Sequence, residues 1–263
     1  MSEKRIFSHR GMSTLAPENT IPAFELMHKY GANWLETDLG ITKDEKLVII
    51  HDDYLDRTTN GHGRVVDHTF DEIRSLDAGS WFSPKFKGTK VPTLDELIEV
   101  MNKYKLNANF ELKAIIGEGA NHLADSEIKQ FAAKLDEIDP ECKILISSFN
   151  PIMLLKLRKL RPDLDYACLF ETHTLYEDWP LICEACGAKT IHPQSEGLTR
   201  GQVQEWKDMG YKVNVWTCDT IDRANELWNW GVDGVFTDIT QSFPTHQRED
   251  GPHYGKFLLP GSN

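Results

Sequence analysis

The sequence has few cysteines and no long hydrophobic run. Its five cysteines are an odd and scattered set, so we expect reduced thiols and no disulfide framework. The first residues, MSEKRIFSHRG, reach charge and a glycine too early for a secretory signal, and nowhere do about 18 uncharged apolar residues follow one another. We therefore expect a cytoplasmic protein with no stable membrane insertion.

Positive charge is also scarce. Lys and Arg number 29 against 41 Asp and Glu, which gives a formal net charge of −12 at pH 7. A protein that binds nucleic acid needs a basic face to neutralise the phosphates, so this balance excludes nucleic acid as a partner. A small phosphate-bearing substrate is compatible with the charge if a cation is recruited locally.

The sequence contains one C-x-x-C pair, Cys183 and Cys186, in the helix-like segment DWPLICEACGA. It has no second ligand pair for zinc and no adjoining redox-type turn. We expect both cysteines to pack in the core.

Short β-rich runs alternate with helix-like segments along most of the chain. The predicted strands are 5–9, 33–38, 108–113, 143–149, 165–170, 189–194, 212–218 and 234–238. The predicted helices are 21–32, 93–104, 126–138, 150–160, 175–188, 199–210 and 220–231. Eight strands in this order predict an α/β fold, a (β/α)₈ TIM barrel, with a doubly wound open sheet as the less favoured arrangement.

One long segment interrupts the alternation after the second strand. It runs for about fifty residues, too long for an ordinary loop, and contains a hairpin-like return through KDEK, a Gly-rich turn and a short helical piece. We expect a single domain over 1–263, with an inserted subdomain at about 53–92 and a C-terminal tail at about 241–263. His246 and His253 fall in that tail, and we assign them no role.

Polar residues occur at the ends of several predicted strands. In a TIM barrel the carboxyl ends of the strands form the active face, so these residues are the candidates for function. They are His9 and Arg10, Glu36 and Asp38, His51 and Asp52, and Glu111 and Lys113.

Three of these side chains are acidic and are spaced to share a face. Residues two apart on a strand point to the same side, so Glu36, Asp38 and Glu111 converge if their strands face inward. Solvated charges on edge strands would explain any one of them alone. Together in a barrel interior they need a divalent cation, and oxygen ligands favour Mg²⁺ or Ca²⁺.

The remaining candidates can move protons and bind phosphate. A single His at a strand end is commonly structural, but His9 and His51 beside three carboxylates suit a general acid and base. Arg10 and Lys113 could hold a phosphate, Arg through its fork and Lys as a point charge.

Ten short motifs occur in order along the chain. They are HRG (9–11), PENT (17–20), ETD (36–38), HD (51–52), RTTNGHG (57–63), LDAGSWF (76–82), VPTLDEL (91–97), FELK (110–113), VWTCD (215–219) and GVDGVFTD (231–238). Together they resemble the glycerophosphodiester phosphodiesterase family, and the resemblance spans residues 5 to about 240. The resemblance implies a (β/α)₈ barrel with a small insertion after the second strand.

The resemblance also implies a role for each site residue. Glu36, Asp38 and Glu111 would be the metal ligands, His9 and His51 the general acid and base, and Arg10 and Lys113 the phosphate-binding groups. Asn19 and Trp216 fall at motif positions and join the substrate-binding set, although fixing a turn would equally explain Asn19 and packing would equally explain Trp216.

The expected activity is hydrolysis of a small glycerophosphodiester to sn-glycerol 3-phosphate and an alcohol, with one divalent cation. Two alternatives stay open. One is a sphingomyelinase D-like lyase acting on choline-bearing lipids at a membrane, which would predict secretion and disulfides. The other is a barrel that binds a phosphodiester without cleaving it.

Overall fold

The alternating pattern folds into a closed parallel barrel in the computed structural model, which describes residues 4–244. The barrel strands are β1 (Arg5–His9), β2 (Trp34–Ile41), β4 (Asn107–Leu112), β5 (Ile144–Ser148), β6 (Asp165–Phe170), β7 (Thr190–Pro193), β8 (Lys212–Val215) and β9 (Gly234–Thr237). Their order is β1-β9-β8-β7-β6-β5-β4-β2, and β1 also pairs with β2. That last pairing closes the sheet, so the TIM barrel is confirmed and the open-sheet alternative is wrong.

The helices follow the strands as amphipathic segments with clear end signals. They are α1 (Ile21–Lys29), α2 (Phe70–Ser75), α3 (Leu94–Tyr104), α4 (Ala120–Lys134), α5 (Pro151–Leu160), α6 (Trp179–Cys186), α7 (Arg200–Asp208) and α8 (Ile221–Trp230). Thr69, Thr93 and Thr199 form capping boxes at α2, α3 and α7. None of the helices described between residues 4 and 244 is long and apolar enough to cross a bilayer.

Two apolar layers hold the barrel together. The larger lies between the barrel and its helices, and it contains Cys183 and Cys186, which confirms that the C-x-x-C pair packs in the core. The smaller fills the lower part of the barrel interior, and we call it the apolar floor. It consists of Phe7, Trp34, Leu145, Ala167 and Phe236, with Phe7 stacked on Phe236 at 4.4 Å between ring centroids.

The long segment after β2 begins as a hairpin. β3 (Leu47–Ile49) returns antiparallel to the end of β2, and the chain then forms α2 and short 3₁₀ turns around a separate small core. That core contains Val48, Ile50, Leu55, Val65, Ile73, Ala78 and Val91. We call residues 53–92 the insertion, and the subdomain boundaries stay a prediction.

The start of the predicted tail packs on the barrel. Phe243 is buried, and its ring lies 6.0 Å from that of Trp228. His246 and His253 lie outside the described residues.

Candidate active site

Strand register brings the predicted site residues together at the mouth of the barrel. His9 pairs with Glu36 across β1 and β2, and Asp38 pairs with Glu111 across β2 and β4. These positions continue the inward-facing alternation of the apolar floor, because Phe7 lies two residues before His9 and Trp34 two before Glu36.

The three acidic residues form one buried group, which we call the acidic cluster. Glu36, Asp38 and Glu111 each offer a carboxylate oxygen, and these oxygens all lie within 4.8 Å of one another. All three residues are buried. The three carboxylates therefore converge, as their spacing along the strands predicted.

Three full negative charges in the buried acidic cluster would repel one another. Burial and the neighbouring Asp38 charge raise the pKa of Glu36 to about 8, and the same two causes raise the pKa of Glu111. Burial would also raise the pKa of Asp38, but the charges of Lys113, His51 and Arg10 outweigh it and lower that pKa. The cluster thus favours an added positive charge.

The acidic cluster fits a divalent metal ion. Asp38 Oδ1 is buried and has no hydrogen-bond partner among the described residues, which leaves a lone-pair donor available inside the cluster. A set of three carboxylates offers only oxygen ligands, which suit a hard divalent cation.

Two cations flank the acidic cluster. Lys113 Nζ lies 2.8 Å from Glu111 Oε1 and 3.9 Å from Asp38 Oδ1. Arg10 Nε lies 3.7 Å from Asp38 Oδ2 and, among the described residues, has no hydrogen-bond partner. Arg10 also has a φ of 58°, an uncommon conformation for a non-glycine residue, and its backbone N–H donates to Glu36 Oε2 at 3.1 Å.

His9 is oriented by Asp238, the residue that follows the last barrel strand. Its Nδ1 lies 2.7 Å from Asp238 Oδ1, and its Nε2 lies 3.9 Å from Glu36 Oε2. Burial alone would lower the pKa of His9, but the hydrogen bond to Asp238 and the charge of Glu36 outweigh it, so that the pKa is raised. Ser13 Oγ donates to the same Asp238 oxygen at 3.1 Å.

His51 is held by its own neighbour in sequence. Its Nδ1 lies 2.5 Å from Asp52 Oδ1. Burial lowers the pKa of His51, and the charges of Lys113 and Arg10 lower it as well. Because a carboxylate only accepts hydrogen bonds, Nδ1 carries the proton in both His9 and His51, and Nε2 is the other ring nitrogen of each.

Asn19 lies behind the acidic cluster and orients one of its members. Its Nδ2 donates to Asp38 Oδ2 at 2.8 Å, and its Oδ1 accepts from Thr37 Oγ1 at 2.8 Å. It is buried with a φ of 52°, and its backbone N–H donates to the carbonyl of Arg10. The structure thus places Asn19 against a carboxylate and in a turn, while its predicted role in substrate binding stays a prediction.

Trp216 forms part of the opposite wall of the mouth. Its ring packs edge-on against Phe149 at 5.4 Å, and its Nε1 donates to the carbonyl of His192 at 2.9 Å. Trp216 therefore lines the site and packs at the same time.

A cleft opens at this mouth. It is lined by His9, Arg10, Glu36, His51, Asn109, Glu111, Ser147, Phe149, Leu169, Trp216, Thr217 and Phe236. Both imidazoles and two members of the acidic cluster therefore line one cleft.

Sequence reasoning missed three charged residues that organise this mouth. They are Glu18, Arg57 and Asp238. Each falls inside a motif already quoted, PENT, RTTNGHG or GVDGVFTD, so the signal was the motif itself. Glu18 and Arg57 are separated by 39 positions and His9 and Asp238 by 229, and no local pattern reveals such pairs.

Fold and cleft together define a class of protein, a (β/α)₈-barrel enzyme that acts on phosphate esters. Residues 9–242 match the family model described as the glycerophosphoryl diester phosphodiesterase family. The chain therefore belongs to this family, which confirms the resemblance seen in its motifs.

Relatives of known name agree with this assignment. A glycerophosphodiester phosphodiesterase of Caldanaerobacter subterraneus is 35% identical over 248 residues, covering 94% of this chain and 98% of that protein. Another from Bacillus subtilis is 32% identical over 257 residues, covering 92% and 87% of the two chains.

A solved structure is also similar along most of its length. It is a phosphodiesterase from Oleispira antarctica in complex with the product sn-glycerol-3-phosphate, with 32% identity and a TM-score of 0.85 over 90% of this chain and 94% of that one. The chain is a glycerophosphodiester phosphodiesterase by family, and its activity is glycerophosphodiester hydrolysis.

Proposed function

We propose that the chain cleaves glycerophosphodiesters to sn-glycerol 3-phosphate and an alcohol, with His9 and His51 as the pair that moves protons. The observation that carries this proposal is that both imidazoles line one cleft with Arg10, Glu36 and Glu111. The bound product of the Oleispira relative supports the same product here.

We further propose that the acidic cluster holds one divalent cation, Mg²⁺ or Ca²⁺. The buried Asp38 Oδ1, which accepts no hydrogen bond from any described residue, and the raised pKa values of Glu36 and Glu111 support this. When bound, such an ion supplies positive charge to phosphate oxygens and lowers the pKa of a nearby hydroxyl or water.

Arg10 and Lys113 are proposed to bind the phosphate. Arg10 Nε–H donates to no described residue, so this N–H is available to an anionic oxygen. Lys113 lies beside Glu111 and Asp38. Two positive charges next to the cleft would stabilise the charge that grows on the phosphate oxygens in the transition state.

His9 and His51 are proposed to act through Nε2. Each ring is oriented by a carboxylate on Nδ1, Asp238 for His9 and Asp52 for His51. One imidazole takes a proton from the attacking oxygen as the new bond to phosphorus forms. The other gives a proton to the alcohol oxygen as its bond to phosphorus breaks.

The acid–base assignment is tested by His9→Ala and His51→Ala in a glycerophosphocholine assay. Each change should lower kcat by about 10²- to 10⁴-fold. His122→Ala is the matched control, because that imidazole is exposed and paired with Glu45 away from the cleft. Near-normal rates in both site variants would rule the assignment out.

The metal assignment is tested by chelation. EDTA should abolish turnover, and adding back Mg²⁺ or Ca²⁺ in turn should identify the ion. Full activity in chelated, metal-free protein would show that the acidic cluster is not a ligand set.

A substrate comparison separates the remaining alternatives. Cleavage of sphingomyelin in place of the deacylated diester would favour the lyase, and glycerophosphocholine that stays bound but intact would favour a binding protein.

A further inference from the structure

Arg57, from the insertion, lies between two carboxylates at the edge of the mouth. Its Nε and Nη2 donate to Asp52 at 2.6 and 2.9 Å, and its Nη1 and Nη2 donate to Glu18 at 2.7 and 2.7 Å. One guanidinium therefore binds two carboxylates, each through two hydrogen bonds, which is the strongest geometry available to this pair of groups.

Each of these carboxylates also holds a proposed functional group. Glu18 Oε1 accepts from Arg10 Nη1 at 2.8 Å, and Asp52 Oδ1 lies 2.5 Å from His51 Nδ1. A continuous chain of hydrogen bonds thus runs from Arg10 through Glu18, Arg57 and Asp52 to His51.

The charges make Arg57 the centre of this chain. Glu18 and Asp52 are both partly buried and both bonded to the same cation, so without Arg57 two carboxylates would share one small region with less positive charge. Each would then keep only one of its two partners, Arg10 for Glu18 and His51 for Asp52. That change would loosen both groups.

We propose that Arg57 is a positioning residue for the reaction. It fixes Glu18 and Asp52, and through them it sets the Arg10 guanidinium for the phosphate and the His51 imidazole for proton transfer. This inference rests on the roles given to Arg10 and His51 under the proposed function. It makes the insertion a working part of the active site.

A purely structural role for Arg57 would be to dock the insertion on the barrel, and the chain offers a matched control for that role. Arg74 of α2 donates to Glu96 of α3 at 3.0 and 2.8 Å, which ties the insertion to a barrel helix through the same kind of bidentate pair. In the part of the chain that the structure describes, Arg74 also bonds the carbonyl of Val91 and no residue of the cleft.

The first experiment compares Arg57→Ala with Arg74→Ala in Michaelis kinetics and thermal melting. Arg57→Ala should lower kcat/KM by about 10- to 100-fold, whereas Arg74→Ala should leave it within about twofold at a comparable loss of melting temperature. Arg57→Lys should recover part of the loss, because an ammonium keeps the charge but not the two-sided fork. Equal kinetics for Arg57→Ala and Arg74→Ala would overturn the proposal.

The second experiment tests the two arms of the hydrogen-bond chain separately. One arm is Glu18 with Arg10, and the other is Asp52 with His51. Glu18→Gln should mainly raise KM and weaken inhibition by sn-glycerol 3-phosphate, because it loosens Arg10. Asp52→Asn should mainly lower kcat, because it loosens His51. Arg57→Ala should do both, and adding it to Asp52→Asn should cost little further kcat, since the two changes break the same arm.

These results also separate this inference from the proposed function. If the wild-type chain does not turn over glycerophosphodiesters, the proposed function fails. If the wild type is active and Glu18→Gln and Asp52→Asn change kcat and KM alike, or Arg57→Ala adds its full effect to Asp52→Asn, the positioning role alone fails.

Discussion

The inside of the barrel changes character within the length of one strand. On β1, Phe7 belongs to the apolar floor, and His9, two positions on, reaches the cleft. On β2, Trp34 belongs to the floor, and Glu36 and Asp38 belong to the acidic cluster. The same inward-facing positions therefore supply packing at one end of the barrel and chemistry at the other.

Neutral polar side chains, which we call the polar layer, adjoin both regions. Asn109 and Ser147 line the cleft, and the His192 ring lies against the floor rings Phe7 and Phe236. Asn109 donates to Ser147 at 2.9 Å, and Asn214 Nδ2 lies 3.0 Å from His192 Nε2. The floor stabilises the fold, whereas the mouth keeps buried like charges close together, which opposes folding and prepares the site for a cation.

The largest effect that separates the two regions should come from Glu111→Gln. This change removes one proposed metal ligand, so kcat should fall by about 1,000-fold, the equivalent of several kcal/mol of transition-state stabilisation. The stability of the metal-free protein should stay the same or rise, because one of three crowded acidic groups has become neutral. Michaelis kinetics and urea unfolding of the metal-free protein measure the two quantities.

Glu141→Gln controls for loss of a carboxylate, because that side chain is exposed at the opposite end of a barrel strand and pairs with Lys105. A large loss of stability in Glu111→Gln without metal would contradict the view that the mouth opposes folding.

The converse change is Phe7→Ala in the apolar floor. Phe7 is fully buried and contacts the rings of Trp34 and Phe236, so its loss should lower the free energy of unfolding by about 3–5 kcal/mol. The kcat of the folded fraction should change by only a few fold, because Asp238 still holds His9. Leu181→Ala, at an exposed apolar position, is the control for stability.

The floor and the mouth would not be separable if Phe7→Ala lowered kcat a hundredfold while the protein stayed fully folded. Urea unfolding gives the fraction of the variant that is folded without denaturant. Michaelis kinetics without denaturant then give the kcat of that folded fraction.

The polar layer should show itself in the pH dependence of stability. Burial lowers the pKa of His192 from 6.5 to about 3, so the folded state keeps this ring neutral while the unfolded state binds a proton below pH 6.5. Its contribution to stability is full above pH 6.5 and is lost as the pH falls toward 3. Between pH 7 and pH 5 the loss should be about 2 kcal/mol.

His192→Gln tests this expectation, because an amide replaces the ring without a titrating group. Urea unfolding at the two pH values should show a pH-dependent loss about 2 kcal/mol smaller in the variant than in the wild type. An equal loss in both proteins would mean that His192 does not titrate between the folded and unfolded states in this range.

Much of this arrangement could be predicted from local sequence. The β-rich runs located the barrel strands, and the convergence of Glu36, Asp38 and Glu111 followed from the alternation of side chains along a strand. The hairpin return to β2 was visible in its turn residues. A cytoplasmic location, by contrast, stays a prediction.

The rest depended on contacts between distant residues. No pattern near Arg57 indicates that it bonds Glu18, 39 positions away, as well as Asp52, because Glu18 comes from another loop of the folded barrel. The left-handed backbone of Arg10 and Asn19 was equally hidden, since neither residue type requires it. Where two loops meet, tertiary structure decides which side chain orients which.

The smallest effect should come from Trp216→Phe, which tests whether Trp216 only lines the cleft or also takes part in the reaction. Phe keeps the aromatic contact with Phe149 and loses only the hydrogen bond to the His192 carbonyl, a change of about 1 kcal/mol in stability. We expect KM and kcat to stay within about threefold, because a flat ring still lines the cleft. Trp179→Phe, in the outer core, controls for loss of an indole elsewhere. A tenfold fall in kcat specific to Trp216→Phe would instead mean that the indole N–H takes part in the reaction, so that Trp216 belongs with the reacting groups and not only with the wall of the cleft.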